Sequence, residues 1–210
     1  MKKYSLEKIA ENYYADLEAL MNSIAATNRK GAQINFYKGI ESAGRLFMSR
    51  SKSGNKLIFV GNGASAAMAS HLSADFWKNA GVKAIAFNDI ALLTAVSNDC
   101  GYQHVFEKPI EVFADKGDVV VAISSSGKSG NILNAVKAAR SKRCQIITLS
   151  GFKEENPLRK MGDFNFYVHS GIYGLVEITH HSICHCILDT IIQFKQSNSR
   201  NSGIEELGNP

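Results

Sequence analysis

The sequence predicts an α/β fold, a parallel sheet covered by helices on both faces and preceded by two N-terminal helices. Three observations carry this. From residue 57 onward, short unbroken apolar runs alternate with helix-like segments, as strands buried on both faces require. Two amphipathic segments precede them. The 210 residues, 45% hydrophobic and 20% charged, suit one domain with a substantial core and exclude a disordered or collagen-like chain.

Residues 4 to 27 place Leu6, Ile9, Ala10, Tyr13, Leu17, Leu20, Met21 and Ile24 at steps of three and four, the signature of an amphipathic helix. Residues 33 to 50 repeat it with Ile34, Tyr37, Ile40, Ala43, Leu46 and Phe47. This helical pair fills residues 1–52 of a single domain expected over 1–197. Each helix must bury its stripe against its partner, the sheet or another subunit, so an oligomer is the natural expectation. After SKSGNK the texture changes. Strands are expected at 57–61, 84–87, 119–123, 145–150 and 164–168, and helices at 64–80, between 87 and 119, at 129–142 and at 173–195. Residues 198–210 read as a flexible polar tail.

The net charge of +5 is a mild excess, compatible with a phosphorylated ligand but not diagnostic of one. Short basic pairs, Arg29 with Lys30 and Lys142 with Arg143, lack the aromatic interleaving of a single-strand binder, so no nucleic-acid partner is expected. Cys100, Cys144, Cys184 and Cys186 contain no CxxC pair. Residues two apart on a helix face different ways, so Cys184 and Cys186 do not suit a disulfide, and a reducing cytoplasm is expected. Glu7, Glu11, Asp16 and Glu18 break any signal-peptide apolar region, and no apolar run approaches the roughly 20 residues that span a bilayer.

Two strand ends carry the same chemistry. The run 57–60 leads into Gly61, Asn62, Gly63, Ala64 and Ser65 and then a helix. The run 119–123 leads into Ser124, Ser125, Ser126, Gly127, Lys128 and Ser129 and then a helix. Glycines let backbone approach a ligand, amides at a helix start bind anions, and serine hydroxyls add neutral donors. Either loop alone equally suits turn and cap residues. Two of them at strand carboxyl ends, where ligands of such sheets sit, point to a phosphate cradle. Neither is a P-loop, because GxxxxGK[ST] is absent.

The ionisable residues form a second pattern. His71 and Asp75 are four apart on the helix after GNGAS, and Glu177, His181 and His185 are spaced by four and four on the last helix, with His180 adjacent. Such faces offer either a transition-metal site or an acid/base pair. The alternatives are a hydrogen-bonded, partly buried histidine for His71 and a surface pair for Glu177 with His181, and His180 and His181 cannot both face one site squarely.

The segments VGNGASAAMASHLSADF, FNDIALLTAVSND, AISSSGKSGNI and EITHHSICH together resemble the sugar isomerase (SIS) domain, most closely its phosphoheptose isomerase branch. The resemblance covers roughly residues 5 to 195. It implies a flavodoxin-like three-layer sandwich and a homotetramer with sites at subunit interfaces. It further implies conversion of sedoheptulose 7-phosphate to a heptose 7-phosphate, the entry step to lipopolysaccharide or capsule heptose. On matching positions the substrate ligands would be Asn62, Gly63, Ser65, Ser124, Ser125, Ser126 and Ser129, with Asp99 lining the sugar. Asp75 and His185 would be catalytic, and His71, Asp75, Glu177 and His185, with His181 in reach, would surround a zinc ion. Asp75 stands for the branch's glutamate, one methylene shorter, and Glu177 for its glutamine. A noncatalytic SIS protein that binds phosphosugar and associates with a replication initiator is the rival, disfavoured because a carboxylate at 75 and His185 are both present.

Overall fold

Every residue of the strand Leu57–Gly61 is buried, and its side chains alternate between two cores, as the pleat dictates. Leu57 and Phe59 join one cluster, Ile58 and Val60 the other. A computed structural model, which describes residues 5–201, shows how the rest of the chain covers both faces. The elements run α1 (Leu6–Met21), β1 (Ala25–Asn28), β2 (Gln33–Ile34), α2 (Phe36–Lys52), β3 (Leu57–Gly61), α3 (Ala64–Ala80), β4 (Ala84–Ala86), α4 (Ile90–Cys100), α5 (Glu107–Phe113), β5 (Val119–Ser124), α6 (Gly130–Ser141), β6 (Gln145–Ser150), β7 (Phe164–Tyr167) and α7 (Tyr173–Asn201). Short 3-10 turns cover Tyr102–His104 and Pro157–Lys160.

The sheet order is β2-β1-β7-β6-β5-β3-β4. Strands β3 to β7 are mutually parallel, and β1 is antiparallel to both β2 and β7. Renumbered from the first of them, the five parallel strands follow the 2-1-3-4-5 order of the flavodoxin-like fold. Strand order reverses between β3 and β5, which pair from Leu57↔Val119 to Gly61↔Ile123. One core gathers α2, α3 and α7 around Ala43, Phe47, Phe76, Val176 and Ile187; the other gathers α5 and α6 around Phe106, Ile110, Ile132 and Ala135. The three-layer α/β sandwich expected from the apolar alternation is present.

Two boundaries differ from expectation. The first helix ends at Met21, and residues 25–34 form a β-hairpin that adds an antiparallel margin, making the sheet mixed rather than wholly parallel. Its turn is fixed by the Asn28 carboxamide, whose Oδ1 accepts from the Lys30 and Ala32 N–H groups at 2.9 and 3.1 Å. At the other end α7 continues to Asn201, so the first four residues of the expected tail are helical; 202–210 lie outside the described residues.

No helix among the described residues is long and apolar enough to cross a membrane. The four cysteines are free, and burial pushes the Cys184 thiol up to about 12, which leaves it an unreactive packing residue.

Candidate functional site

Both glycine- and serine-bearing loops leave the sheet at the β3/β5 switch point. Gly61, the last residue of β3, must be glycine. A Cβ there would lie 2.6 Å from the backbone carbon and oxygen of Ser65, because the chain folds straight back into the first turn of α3. Gly63 starts that helix at φ 54°, with no side-chain cap. The neighbouring loop begins at Ser124, the last residue of β5, and reaches Ser129, the N-cap of α6, also without a side-chain cap bond. By contrast, Ser5, Asn35 and Asp89 cap α1, α2 and α4 with their side chains. Two uncapped helix starts thus lie side by side at the carboxyl edge of the central strands, where partial positive charge and backbone donors favour an anion.

The serine loop is internally fixed. The Ser124 and Ser129 hydroxyls lie 3.3 Å apart, Ser124 Oγ accepts from Gly127 N–H at 3.2 Å, and Ser126 Oγ accepts from Lys128 N–H at 3.3 Å. Gly127 takes φ 62°, and a Cβ on it would fall 2.0 Å from Asn156 Oδ1. Asn156 is fully buried and donates to Ser150 Oγ, Gly151 O and Lys153 O, so the next loop buttresses this turn from beneath. Ser65, Ser124 and Ser125 are buried, Ser126 and Ser129 half-buried. Asn62 joins the two loops through Asn131. Asp99 is exposed near the end of α4 and accepts from Asn98 Nδ2 at 2.8 Å rather than from a group of either loop.

The second cluster lies where α3 packs on α7. His71, His181 and His185 each place a ring nitrogen within 4.8 Å of the others, the one such group of potential metal ligands among the described residues. His185 Nε2 and His181 Nε2 are 3.1 Å apart. A tetrahedral ion with metal–nitrogen bonds of about 2.0–2.1 Å spaces its ligand atoms by roughly 3.3 Å, so the donor set fits a first-row transition metal. Burial, followed by the proximity of His185 and His71, lowers the His181 pKa and favours its neutral, ligating form. Asp75 stands behind the group, with its Oδ2 3.1 Å from His71 Nε2. Asn79, one turn further on, reaches Asp75 Oδ1 at 3.5 Å.

Of the residues singled out from sequence, the fold brings together His71, Asp75, His181 and His185. Glu177 lies half-buried on α7, with no ligand atom in the group. His180 points the other way. It is fully buried, its Nε2 lies 3.1 Å from Ser150 O, and burial pushes its pKa down to about 4, so it is a neutral structural histidine. Sequence reasoning passed over Asn131, Tyr102 and Asn156. The available signal for Asn131 was a carboxamide in the first turn of a helix whose neighbours are apolar; the exposed Tyr102 gave none.

The cradle and the histidine cluster share α3 but not a face. Ser65 and His71 are six residues apart, about 120° around the helix, with Ser65 turned to the sheet and His71 about half exposed. A separate cleft of about 540 Å³ lies between the β1–β2 turn and residues 154–160, lined by Arg29, Lys30, Glu154, Glu155 and Arg159 among others; it contains neither cluster.

Comparison with known proteins places these features in context. Residues 12–151 match the SIS domain family. The chain is 34% identical over 184 residues to the phosphoheptose isomerase of Geobacter sulfurreducens, covering 82% of this chain and 97% of that one. It is 36% identical over 158 residues to that of Aliarcobacter butzleri, covering 70% and 83%. Among solved structures it superposes on phosphoheptose isomerase GmhA from Neisseria gonorrhoeae with a TM-score of 0.78 at 28% identity, covering 89% of this chain and 99% of that one. For a phosphoheptose isomerase from Francisella tularensis the TM-score is 0.77 at 28% identity, covering 91% and 100%.

Proposed function

Because the chain belongs to the SIS domain family, on its phosphoheptose isomerase branch, we propose that it interconverts sedoheptulose 7-phosphate and D-glycero-D-manno-heptose 7-phosphate through an enediolate. The observation that carries the reading is the pairing, on one helix, of an anion cradle at its start with the Asp75–His71 contact at 3.1 Å further along.

The phosphate is held by Ser65, Ser124, Ser125, Ser126 and Ser129, the Asn62 carboxamide and the Gly63 backbone, and Asp99 serves the sugar hydroxyls. Because the cradle and Asp75 of one chain lie on different faces of α3, this grip would present the first two carbons of the ketose to the Asp75 carboxylate of a neighbouring copy. Asp75 takes a proton from C1, and the C–H electrons form the C1–C2 double bond as the C2 oxygen gains charge. His185 gives that oxygen a proton and receives the one leaving the C1 oxygen. Asp75 returns its proton to C2, so atoms and charge balance and the aldose results. His71 and His181 are the residues that would hold zinc, with the His185 ring beside them, and zinc would act as a Lewis acid to neutralise the developing enediolate oxygen.

The 120° offset between cradle and cluster supports a homotetramer in which a neighbouring copy completes each site. The rival reading as a noncatalytic binder gains nothing, since the relatives described above are named isomerases and both Asp75 and His185 are retained.

The test is Asp75→Asn assayed on sedoheptulose 7-phosphate. Turnover is expected to fall about 10²- to 10⁴-fold, the usual contribution of a positioned acid/base group, with phosphosugar binding preserved. Full turnover in this variant sinks the mechanism.

A further inference from the structure

The two loops of the cradle are tied by a reciprocal pair of side-chain amides. Asn62 Nδ2 donates to Asn131 Oδ1 at 2.9 Å, and Asn131 Nδ2 donates to Asn62 Oδ1 at 2.8 Å. One residue follows β3; the other lies in the first turn of α6 and is 3% exposed. Taken alone, such a pair reads equally well with both amides turned over. A backbone group removes the ambiguity. Ile132 N–H, which donates to Ser129 O at 3.1 Å, also lies 3.0 Å from Asn131 Oδ1, and turning the Asn131 amide over would set two donors against each other there.

The rest follows in sequence. With Asn131 Oδ1 fixed, the Asn62 atom opposite it must be nitrogen, and the other Asn62 atom must be oxygen. That oxygen also lies 3.0 Å from the Tyr102 hydroxyl, which therefore donates. Both ends of the Asn62 amide are thus assigned by groups outside its own loop. Its second Nδ2 hydrogen has no acceptor among the described residues. A phosphate oxygen accepts from such a hydrogen and could not use a carbonyl turned to the same place.

We infer that Asn131 and Tyr102 are positioning residues, which lock the Asn62 side chain as a hydrogen-bond donor for the ligand and hold the two phosphate loops in register. The inference rests on the isomerase reading for the identity of that ligand. Tyr102 reaches the site from the connection between α4 and α5 and is 55% exposed, so its hydroxyl can be removed with little consequence for the core.

Titration calorimetry with sedoheptulose 7-phosphate and with inorganic phosphate tests it, using wild type, Tyr102→Phe, Asn62→Ala, the double variant and Asn131→Asp. Removal of one neutral hydrogen bond is expected to weaken binding of the phosphosugar about 2- to 10-fold in Tyr102→Phe. The same change is expected to cost nothing further in the Asn62→Ala background, because Tyr102 acts through Asn62. Asn131→Asp, which sets a carboxylate oxygen against Asn62 Oδ1, is expected to weaken both ligands on the order of tenfold or more. KM should rise in Tyr102→Phe with kcat little changed.

A Tyr102→Phe chain that binds as wild type does, or one that loses the same factor with and without Asn62, overturns the inference. Binding is read without turnover. A wild-type chain that binds the phosphosugar and fails to isomerise it therefore contradicts the isomerase reading alone.

Discussion

Single atoms decide much of this site. Gly61 is the clearest case, since a methyl group there would sit 2.6 Å from Ser65 backbone atoms. Gly61→Ala is expected to lower stability by about 1–3 kcal/mol, as overpacking does, and to weaken phosphate binding because the first turn of α3 must move. Chemical denaturation and phosphate titration measure the two effects; an unchanged phosphate affinity would separate the turn from the cradle. The histidine group gives a second expectation. Elemental analysis of protein loaded with zinc should find roughly one ion per chain, lost in His71→Ala and His181→Ala and kept in Glu177→Gln. Loss of the ion in Glu177→Gln alone would put the ligand set elsewhere on α7. Spacing of four on a helix made Glu177 and His185 look equivalent in sequence. What separates them is the position of each along the contact of α7 with α3, a tertiary quantity that one helix's periodicity does not contain.

At the scale of elements, the entrances to β3 and β5 are pinned by one ionic cluster. Asp118 is fully buried and accepts from Lys56 N–H at 2.9 Å, Asp115 N–H at 2.9 Å and Asn55 Nδ2 at 3.2 Å, with Lys56 Nζ 2.7 Å away. Burial works against its ionisation, but the Lys56 ammonium and the two backbone N–H groups outweigh it and hold the carboxyl below its ordinary value. A depressed folded pKa contributes stability that is complete above the unfolded value of about 3.9 and is lost as pH falls through the folded one. Asp118→Asn should therefore be less stable by about 3 kcal/mol near neutrality, and its melting curve should converge on wild type below about pH 4. A gap unchanged from pH 7 to pH 3 would contradict the account. The five parallel strands were legible because each is a short apolar run buried on both faces. The hairpin at 25–34 was not, because Ile24 extended the helical spacing and the Asn28–Gly31 turn is a local signal easily overridden by it. The serine loop, proposed here as the anion site, stood out by its composition, whereas the Asn131 tie across two loops depends on which strands are neighbours.

For the whole molecule, the exposed apolar surface bears on assembly. Helix α1 has no buried residue, and Leu6 and Tyr14 on it are 86% and 71% exposed. A helix with this pattern is stabilised by packing rather than by propensity, so a neighbouring copy is the expected cover in the proposed homotetramer. Light scattering should return the mass of four 22.9 kDa chains, and Leu6→Glu with Ile9→Glu should shift it to smaller species with helical content kept. An unchanged mass would place the contact on another face. Assembly and chemistry meet in the central claim, that a carboxylate moves a proton between adjacent carbons of a phosphosugar. The most direct measurement is proton NMR of sedoheptulose 7-phosphate incubated with the wild-type chain in D2O. The account expects the aldose 7-phosphate to form with deuterium at C2 and the recovered ketose to gain deuterium at C1, both lost in Asp75→Asn. A ketose that stays fully protonated and unconverted, or exchange that persists undiminished without the carboxylate, would contradict it.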